Sequence, residues 1–149
     1  MPPSHSDHQD PFDLARFVSA QQDAFERALN EVRSGRKSSH WMWYMLPQLR
    51  GLGRSPVAQR FGITGIEEAK AYLEHEILGP RLITLCEAAL SVKGRSATEL
   101  FGAPDDLKFR SCATLFAQLS PVDSVFHKIL DQYFAGIPDQ RTLQLLIDS

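Results

Sequence analysis

The feature of this chain that most restricts its fold is the spacing of its apolar residues, which recur at intervals of three and four. Between residues 12 and 33 they follow one helical face: Leu14, Phe17, Val18, Phe25, Ala28, Leu29 and Val32. Comparable spacing returns along the rest of the chain, in segments bounded by glycine, proline or a capping serine. Residues 96–99 match a capping box, which predicts a short helical turn as far as Phe101. No segment shows sustained alternation with a period of two, so no sheet is expected. The sequence therefore predicts a single all-α domain of six to eight helices.

The 149 residues fit one helical domain over residues 11–149, preceded by a polar tail over residues 1–10 that we expect to be disordered. No apolar run reaches the roughly 18 residues of a membrane span, and the N-terminus lacks the apolar core of a secretory signal. We therefore expect a cytoplasmic protein. Cys86 and Cys112 lie within apolar helical patterns, which favours buried thiols over a disulfide.

Charge is distributed unevenly along the chain. The net charge of −2 argues against a general nucleic-acid-binding role. Residues 32–66, however, contain no acidic side chain and six basic ones: Arg33, Arg36, Lys37, Arg50, Arg54 and Arg60. This local excess favours an anionic partner. The alternative is that these side chains pair with the acidic residues of the first helix.

One stretch, "KSSHWMWYMLPQLRGLGRSP" (residues 37–56), contains both tryptophans of the chain. Indole faces can stack on an aromatic ring for roughly 1–3 kcal/mol per base, and arginine forks suit phosphates and carboxylates. A helix expected to begin at Ser55-Pro56 would direct free N–H groups towards an anion. In this stretch, Trp41 and Trp43 are candidates for stacking, and Arg50 and Arg54 for binding an anion. Gln48 and Ser55 could orient the ligand. His40 is the candidate acid or base. The alternative is that its aromatic half is part of the core.

A second candidate region is "FGAPDDLKFRSCATLF" (residues 101–116). Lys108 falls on the apolar face of the helix expected there, and lysine is rarely buried without a partner. It must therefore reach solvent, pair with a carboxylate or line a cavity, and we take it with Ser111 as a candidate for ligand binding. Asp105 and Asp106 fit helix caps better than catalytic groups.

Other familiar motifs are excluded. "GLGRSP" lacks the third glycine and the preceding strand of a dinucleotide-binding fingerprint. No group of histidines and cysteines has metal-ligand spacing, so the sequence predicts neither a metal site nor a cofactor.

Four stretches resemble the bacterial "domain of unknown function 1810" family: "SHWMWYMLPQLRGLGRSPVAQRFGI", "AYLEHEILGPRL", "FGAPDDLKFRSCATLF" and "DQRTLQLL". The resemblance runs from about Asp10 to Leu146 and implies an all-helical fold, with no established activity. The chain departs from the family at Cys112-Ala113, where serine and methionine are usual, and this weakens any role for position 112.

A second, more limited likeness is to the helical YbiA-like proteins linked to ADP-ribose and NAD derivatives. It rests on residues 108–116 and on the leucine-rich segment 143–146. It implies a pocket of aromatic and arginine side chains for a nucleotide-like ligand.

The sequence leads to two main hypotheses. In the first, the protein binds an anionic aromatic metabolite such as an ADP-ribose or NAD derivative, and catalysis through His40 is left open. In the second, it is a non-enzymatic module whose segment 36–60 docks a partner protein or nucleic acid. An exposed tryptophan–arginine patch would favour docking, whereas a concave pocket with a tryptophan on its wall would favour the metabolite.

Overall fold

The structure is a computed structural model and describes residues 10–148. Over that range it contains ten α-helices and no strand: α1 (Ala15–Gln21), α2 (Phe25–Arg33), α3 (Met42–Met45), α4 (Pro56–Phe61), α5 (Ile66–Glu74), α6 (Leu78–Ser91), α7 (Ala97–Phe101), α8 (Asp105–Ala117), α9 (Val125–Phe134) and α10 (Gln140–Asp148). The all-α class is confirmed, whereas the predicted number of six to eight helices was wrong. The expected disorder of the tail falls almost wholly outside the described residues.

Two causes account for the larger number of helices. The single helix expected over residues 12–33 is divided into α1 and α2 by a turn at residues 22–24. No glycine or proline marks this turn in the sequence. In addition, α3 and α7 are only four and five residues long, close to a single turn, and such short segments show too little periodicity to be counted as helices from the sequence.

The caps of two helices agree with the sequence prediction. The hydroxyl of Ser55 accepts a hydrogen bond from the Ala58 N–H, and Pro56 occupies the first turn of α4. Ser96 and Glu99 form the reciprocal capping box expected at the start of α7. These helix starts follow from residues within one turn of each other, which is why the sequence alone locates them.

The core is organised around a continuous series of aromatic rings. Phe17 of α1 meets Tyr72 of α5 edge to face, with ring centres 5.0 Å apart. Tyr72 lies 5.5 Å from Phe116 of α8, which in turn lies 5.5 Å from Phe126 of α9. All four side chains are almost completely buried. Since such pairs contribute about 0.5–1.5 kcal/mol beyond their burial, the series ties four helices into one core.

The segment between α3 and α5 folds back on itself beside this core. The Arg50 N–H donates to the Ile63 carbonyl at 2.8 Å, and the Ile63 N–H donates to the Gln48 carbonyl at 2.9 Å. A Cβ on Gly62 would lie only 2.6 Å from the Arg50 Cα, so the absence of a side chain permits this approach. The two arms of the fold-back thus hold the backbones of Gln48 and Arg50 in fixed places.

Candidate functional site

The segment that leads into α3 is held by one carboxylate of α2. Glu31 accepts hydrogen bonds from the Ser38 and Ser39 N–H groups at 2.8 and 2.9 Å, and from the Ser39 hydroxyl at 2.6 Å. The Trp41 indole N–H donates to the same carboxylate at 2.9 Å. Partial burial raises the pKa of Glu31, but these hydrogen bonds outweigh it and lower the pKa to about 2. Glu31 is therefore an ionised anchor for residues 38–41.

Trp41 is a core residue. Its side chain is fully buried, it meets Phe101 edge to face at 6.4 Å, and the Lys37 ammonium lies 5.0 Å from its ring centre. Because these neighbours and Glu31 surround the indole, Trp41 has no open face on which a ligand could stack. Trp43 is only half-buried. Of the two tryptophans predicted to stack, Trp43 is the one with accessible surface.

Two lysines share one carboxylate beside the tryptophans. The Lys37 ammonium lies 2.8 Å from Asp105 Oδ2, and the Lys108 ammonium lies 3.5 Å from Asp105 Oδ1. Lys37 is almost buried, with 5% of its side chain exposed, whereas Lys108 is 23% exposed. Asp105 makes no side-chain hydrogen bond as a helix cap, contrary to the prediction from the sequence. Since its carboxylate lies closer to Lys37, the charge of Lys108 is incompletely neutralised.

The structure brings Lys108 to the aromatic segment. Its ammonium lies 4.9 Å from the centre of the Trp43 ring, within the range of a cation–π interaction. Trp43, Gln48, Phe61 and Lys108 line a cavity of about 10 Å³, room for about one water molecule. The Gln48 amide makes no side-chain hydrogen bond to the described residues, and Gln48 is half-buried, like Trp43. Three residues predicted from two separate parts of the sequence thus meet here.

Three other predicted site residues lie elsewhere or have structural partners. His40 is exposed, its ring makes no hydrogen bond to residues 10–148, and its carbonyl accepts a bond from the Tyr44 hydroxyl at 3.3 Å. Ser55 caps α4. Ser111 is buried and donates to the Leu107 carbonyl at 3.1 Å. None of the three lines the cavity beside Trp43.

The arginines of residues 32–66 are not paired with the acidic first helix. Within the described part of the chain no carboxylate lies within ion-pair distance of any of them: Arg33, Arg36, Arg50, Arg54 and Arg60. All five are exposed. The alternative that these side chains pair with acidic residues of the first helix is therefore wrong for the described residues, and Lys37, the sixth basic residue, pairs with Asp105 instead. Arg50, predicted to share the aromatic site, lines a different cleft, together with Arg60.

One polar cluster, around Arg16, was not predicted at all. Arg16 of α1 forms an ion pair with Glu68 of α5 at 2.8 Å, with 8% and 1% of their side chains exposed. Arg16 also donates to the backbone carbonyls of Phe12, Asp13, Arg60 and Gly62. The two residues of the ion pair are 52 positions apart, so neither spacing nor local pattern could reveal their contact.

Comparisons with known proteins add a family. The model of the family described as "Protein of unknown function (DUF1810)" matches residues 11–146. The chain belongs to this family. It is also similar to a solved structure, the conserved hypothetical protein Rv1873 from Mycobacterium tuberculosis, with a TM-score of 0.90 and 51% identity. That match covers 93% of this chain and 99% of the other. None of the curated proteins compared with the chain matches it.

Neither a membrane segment nor a metal cluster is found in the described residues. No helix there is both long and apolar enough to cross a bilayer. Residues 10–148 also contain no group of three or more histidine, cysteine, aspartate or glutamate side chains placed to hold a metal ion.

Proposed function

We propose that this DUF1810 protein binds a small anionic ligand that carries an aromatic ring, such as an ADP-ribose or NAD derivative. The site is the surface formed by Trp43, Gln48 and Lys108, called here the Trp43–Lys108 surface. We assign it a binding role, since His40, the predicted acid–base residue, has no partner among the described residues to orient it.

The observation that supports the proposal most is the charge of Lys108. Its nearest carboxylate oxygen lies at 3.5 Å, while the same carboxylate lies 2.8 Å from Lys37. An anion placed beside Lys108 would complete this neutralisation. The neighbouring Trp43 ring would contact the aromatic part of the ligand, and stacking of this kind is worth roughly 1–3 kcal/mol.

Gln48 and Arg54 would complete recognition at the edge. The Gln48 amide is free to donate and accept. Gly53 packs beside it, since a Cβ on Gly53 would lie 3.6 Å from the Gln48 Nε2. Arg54 follows directly, is exposed and has no ion-pair partner in the described range. We therefore take Arg54 as the second positive charge that would contact the anionic part of the ligand.

Intrinsic fluorescence tests the proposal, because the two tryptophans differ in exposure. Trp41 is fully buried and Trp43 half-buried, so a stacked ligand would quench the emission of Trp43 alone. We expect ADP-ribose to quench the wild type saturably, Trp43→Phe to abolish the effect, and Lys108→Met to raise the Kd by about tenfold, equivalent to about 1.4 kcal/mol. Adenosine and ribose 5-phosphate, each with half of the required chemistry, should bind more weakly.

Two results would overturn this binding site. One is the absence of quenching by any of the nucleotides and NAD derivatives tested. The other is equal quenching of the wild type and of Trp43→Phe, which would place the ligand elsewhere. Lys70→Met, an exposed lysine of α5, is the matched control for the loss of one positive charge and should bind as the wild type does.

A docking surface for a partner protein is the second candidate. It is favoured by the size of the cavity, which at about 10 Å³ cannot enclose a nucleotide. Tryptophan and arginine are also among the residues most enriched at interface hot spots. A protein partner would cover more of segment 36–60, so Arg36→Gln should weaken it while leaving a small ligand at Trp43 unaffected. If Arg36→Gln weakened the binding of the small ligand and of the protein partner equally, the two candidate functions could not be separated in this way.

We also propose that residues 11–149 act as one domain in the cytoplasm. The shared core of the helices and the ordinary globular composition support the single domain. Cell fractionation would test it: recovery with the membrane or periplasmic fraction would contradict the proposed location.

A further inference from the structure

A second cleft lies between the start of α1 and the turn that follows α4. Its volume is about 360 Å³, within the range of small-ligand sites. Three arginines line it, namely Arg16, Arg50 and Arg60, and none of the residues of the Trp43–Lys108 surface does. The cleft is thus separate from the site of the proposed function, and a ligand in it does not depend on that function.

Arg16 lines this cleft, but all of its hydrogen-bond donors are already used. Its five N–H donors are matched by five acceptors: four backbone carbonyls and the Glu68 carboxylate. The other oxygen of Glu68 accepts from the Thr64 N–H and hydroxyl at 2.9 and 2.8 Å. Neither charge of this pair is left to bind a ligand, because each compensates the other.

Arg50 and Arg60 differ from Arg16 in having no anionic partner. Both are exposed, and no carboxylate among residues 10–148 lies within ion-pair distance of either. The remaining acidic group of the cleft is Asp13, which makes no ion pair in the same range. Two unpaired guanidinium groups against one carboxylate leave the cleft with a net positive charge of one.

The backbone holds these two arginines in place. The Arg50 N–H donates to the Ile63 carbonyl at 2.8 Å, and the Arg60 carbonyl accepts from Arg16 at 2.7 Å. The Arg60 guanidinium also lies 5.3 Å from the centre of the Phe61 ring, which restricts its position. Fixed backbones and free guanidinium groups are the features of an oxoanion site, since arginine forks match the oxygens of a phosphate.

We propose that the cleft between Arg50 and Arg60 binds a phosphate group, either free or as a monoester. The two guanidinium groups would donate to its oxygens, and Arg16 and Thr64 would line the cleft beside it. A phosphate of charge near −2 would more than offset the excess charge, so its binding is electrostatically favourable.

Solution NMR with inorganic phosphate tests this proposal. The probe is titrated into the folded protein at constant ionic strength, with chloride as the reference anion, and amide shifts are followed. We expect saturable shifts confined to the residues around the cleft, at positions 11–16, 50, 60–64 and 68, and a rise in Kd of about tenfold for Arg50→Gln and for Arg60→Gln. Phenyl phosphate in place of phosphate distinguishes a monoester site, which it should also saturate, from a site for the free ion, which it should not.

Matched variants separate phosphate binding in this cleft from binding at other basic side chains. Arg33→Gln removes an exposed, unpaired arginine from outside the cleft and should leave phosphate binding unchanged. Lys108→Met should also leave phosphate binding unchanged, although the same variant should weaken ligand binding at Trp43. Shifts spread evenly over all basic residues, equal shifts with chloride, or wild-type affinity in both cleft variants would each overturn the proposal. Thermal unfolding of each variant confirms that the fold is retained, as expected for exposed side chains.

Discussion

The carboxylate of Glu31 lies 2.9 Å from the indole nitrogen of Trp41, and this contact fixes the end of α2 against the start of α3. The same carboxylate binds two N–H groups and a hydroxyl of residues 38 and 39. A buried indole N–H without an acceptor would cost about 1–3 kcal/mol. The aromatic segment is therefore positioned from α2, and the exposure of Trp43 is a consequence of how Trp41 is anchored.

The stability of the protein should depend on pH through Glu31. Its pKa is about 2 in the folded protein against the ordinary 4.5, so the unfolded state binds more protons between these values and stability rises with pH there. The contribution is fully present above about pH 5 and is lost as the pH falls towards 2. Because the carboxylate is partly exposed, we expect only about 1–2 kcal/mol.

Urea unfolding at several pH values, for the wild type and Glu31→Gln, measures this contribution. The wild type should have a higher free energy of unfolding than Glu31→Gln at pH 7, and this difference should shrink as the pH falls from 5 to 2. The matched control is Glu26→Gln, an exposed acid of the same helix. A difference between the wild type and Glu31→Gln that stays constant with pH would contradict the assignment.

Loss of the ion pair between Arg16 and Glu68 should strongly lower the free energy of unfolding. Glu68→Gln keeps the shape of the side chain but leaves a nearly buried guanidinium without a counter-ion, which typically costs about 3–5 kcal/mol. Glu67→Gln, at the exposed neighbouring position, should change the free energy of unfolding by about 0.5 kcal/mol or less. Chemical denaturation compares the two variants, and similar stability would refute a central role for the pair.

The two cysteines should be inert in the folded protein. Both are free and fully buried, and burial raises the pKa of Cys86 to about 12 and that of Cys112 well above its ordinary value. Since the thiolate is the reactive form, iodoacetamide at pH 8 should modify neither residue until urea unfolds the protein. Mass spectrometry reports the extent, and fast modification without unfolding would show that the thiols are accessible.

The helical class and several helix starts could be predicted because their causes are local. Apolar spacing sets the helical faces, and Ser55 and Ser96 cap helices through atoms only three residues away. The break between α1 and α2 could not be predicted in this way. No glycine or proline marks it, and the buried Gln21 beside it is held by contacts with Tyr44 and Tyr72, which are 23 and 51 residues away.

In the candidate site, too, the sequence predicted features with local causes and missed contacts between distant residues. The position of Lys108 on an apolar face predicted that it needs a partner, and the structure supplies Asp105 and the Trp43 ring. Lys37, which binds the same carboxylate, is 68 residues away from Asp105, and nothing in the sequence indicates their contact. The sequence also grouped Arg50 with the tryptophans because they are neighbours in the chain, whereas the fold-back at residues 48–63 turns Arg50 to another cleft.

The contact between α5 and the start of α6 predicts the effect of adding one methyl group. A Cβ on Gly79 would lie 2.1 Å from the Leu73 carbonyl oxygen, a backbone atom that cannot rotate away. Gly79→Ala must therefore move one helix relative to the other, at a cost of about 1–3 kcal/mol. Gly65→Ala is the control: its backbone is extended and a Cβ there would meet nothing within 4 Å. Thermal unfolding should show a lower Tm for Gly79→Ala and little change for Gly65→Ala, and equal Tm values for the two variants would disprove the close approach of Gly79 to Leu73.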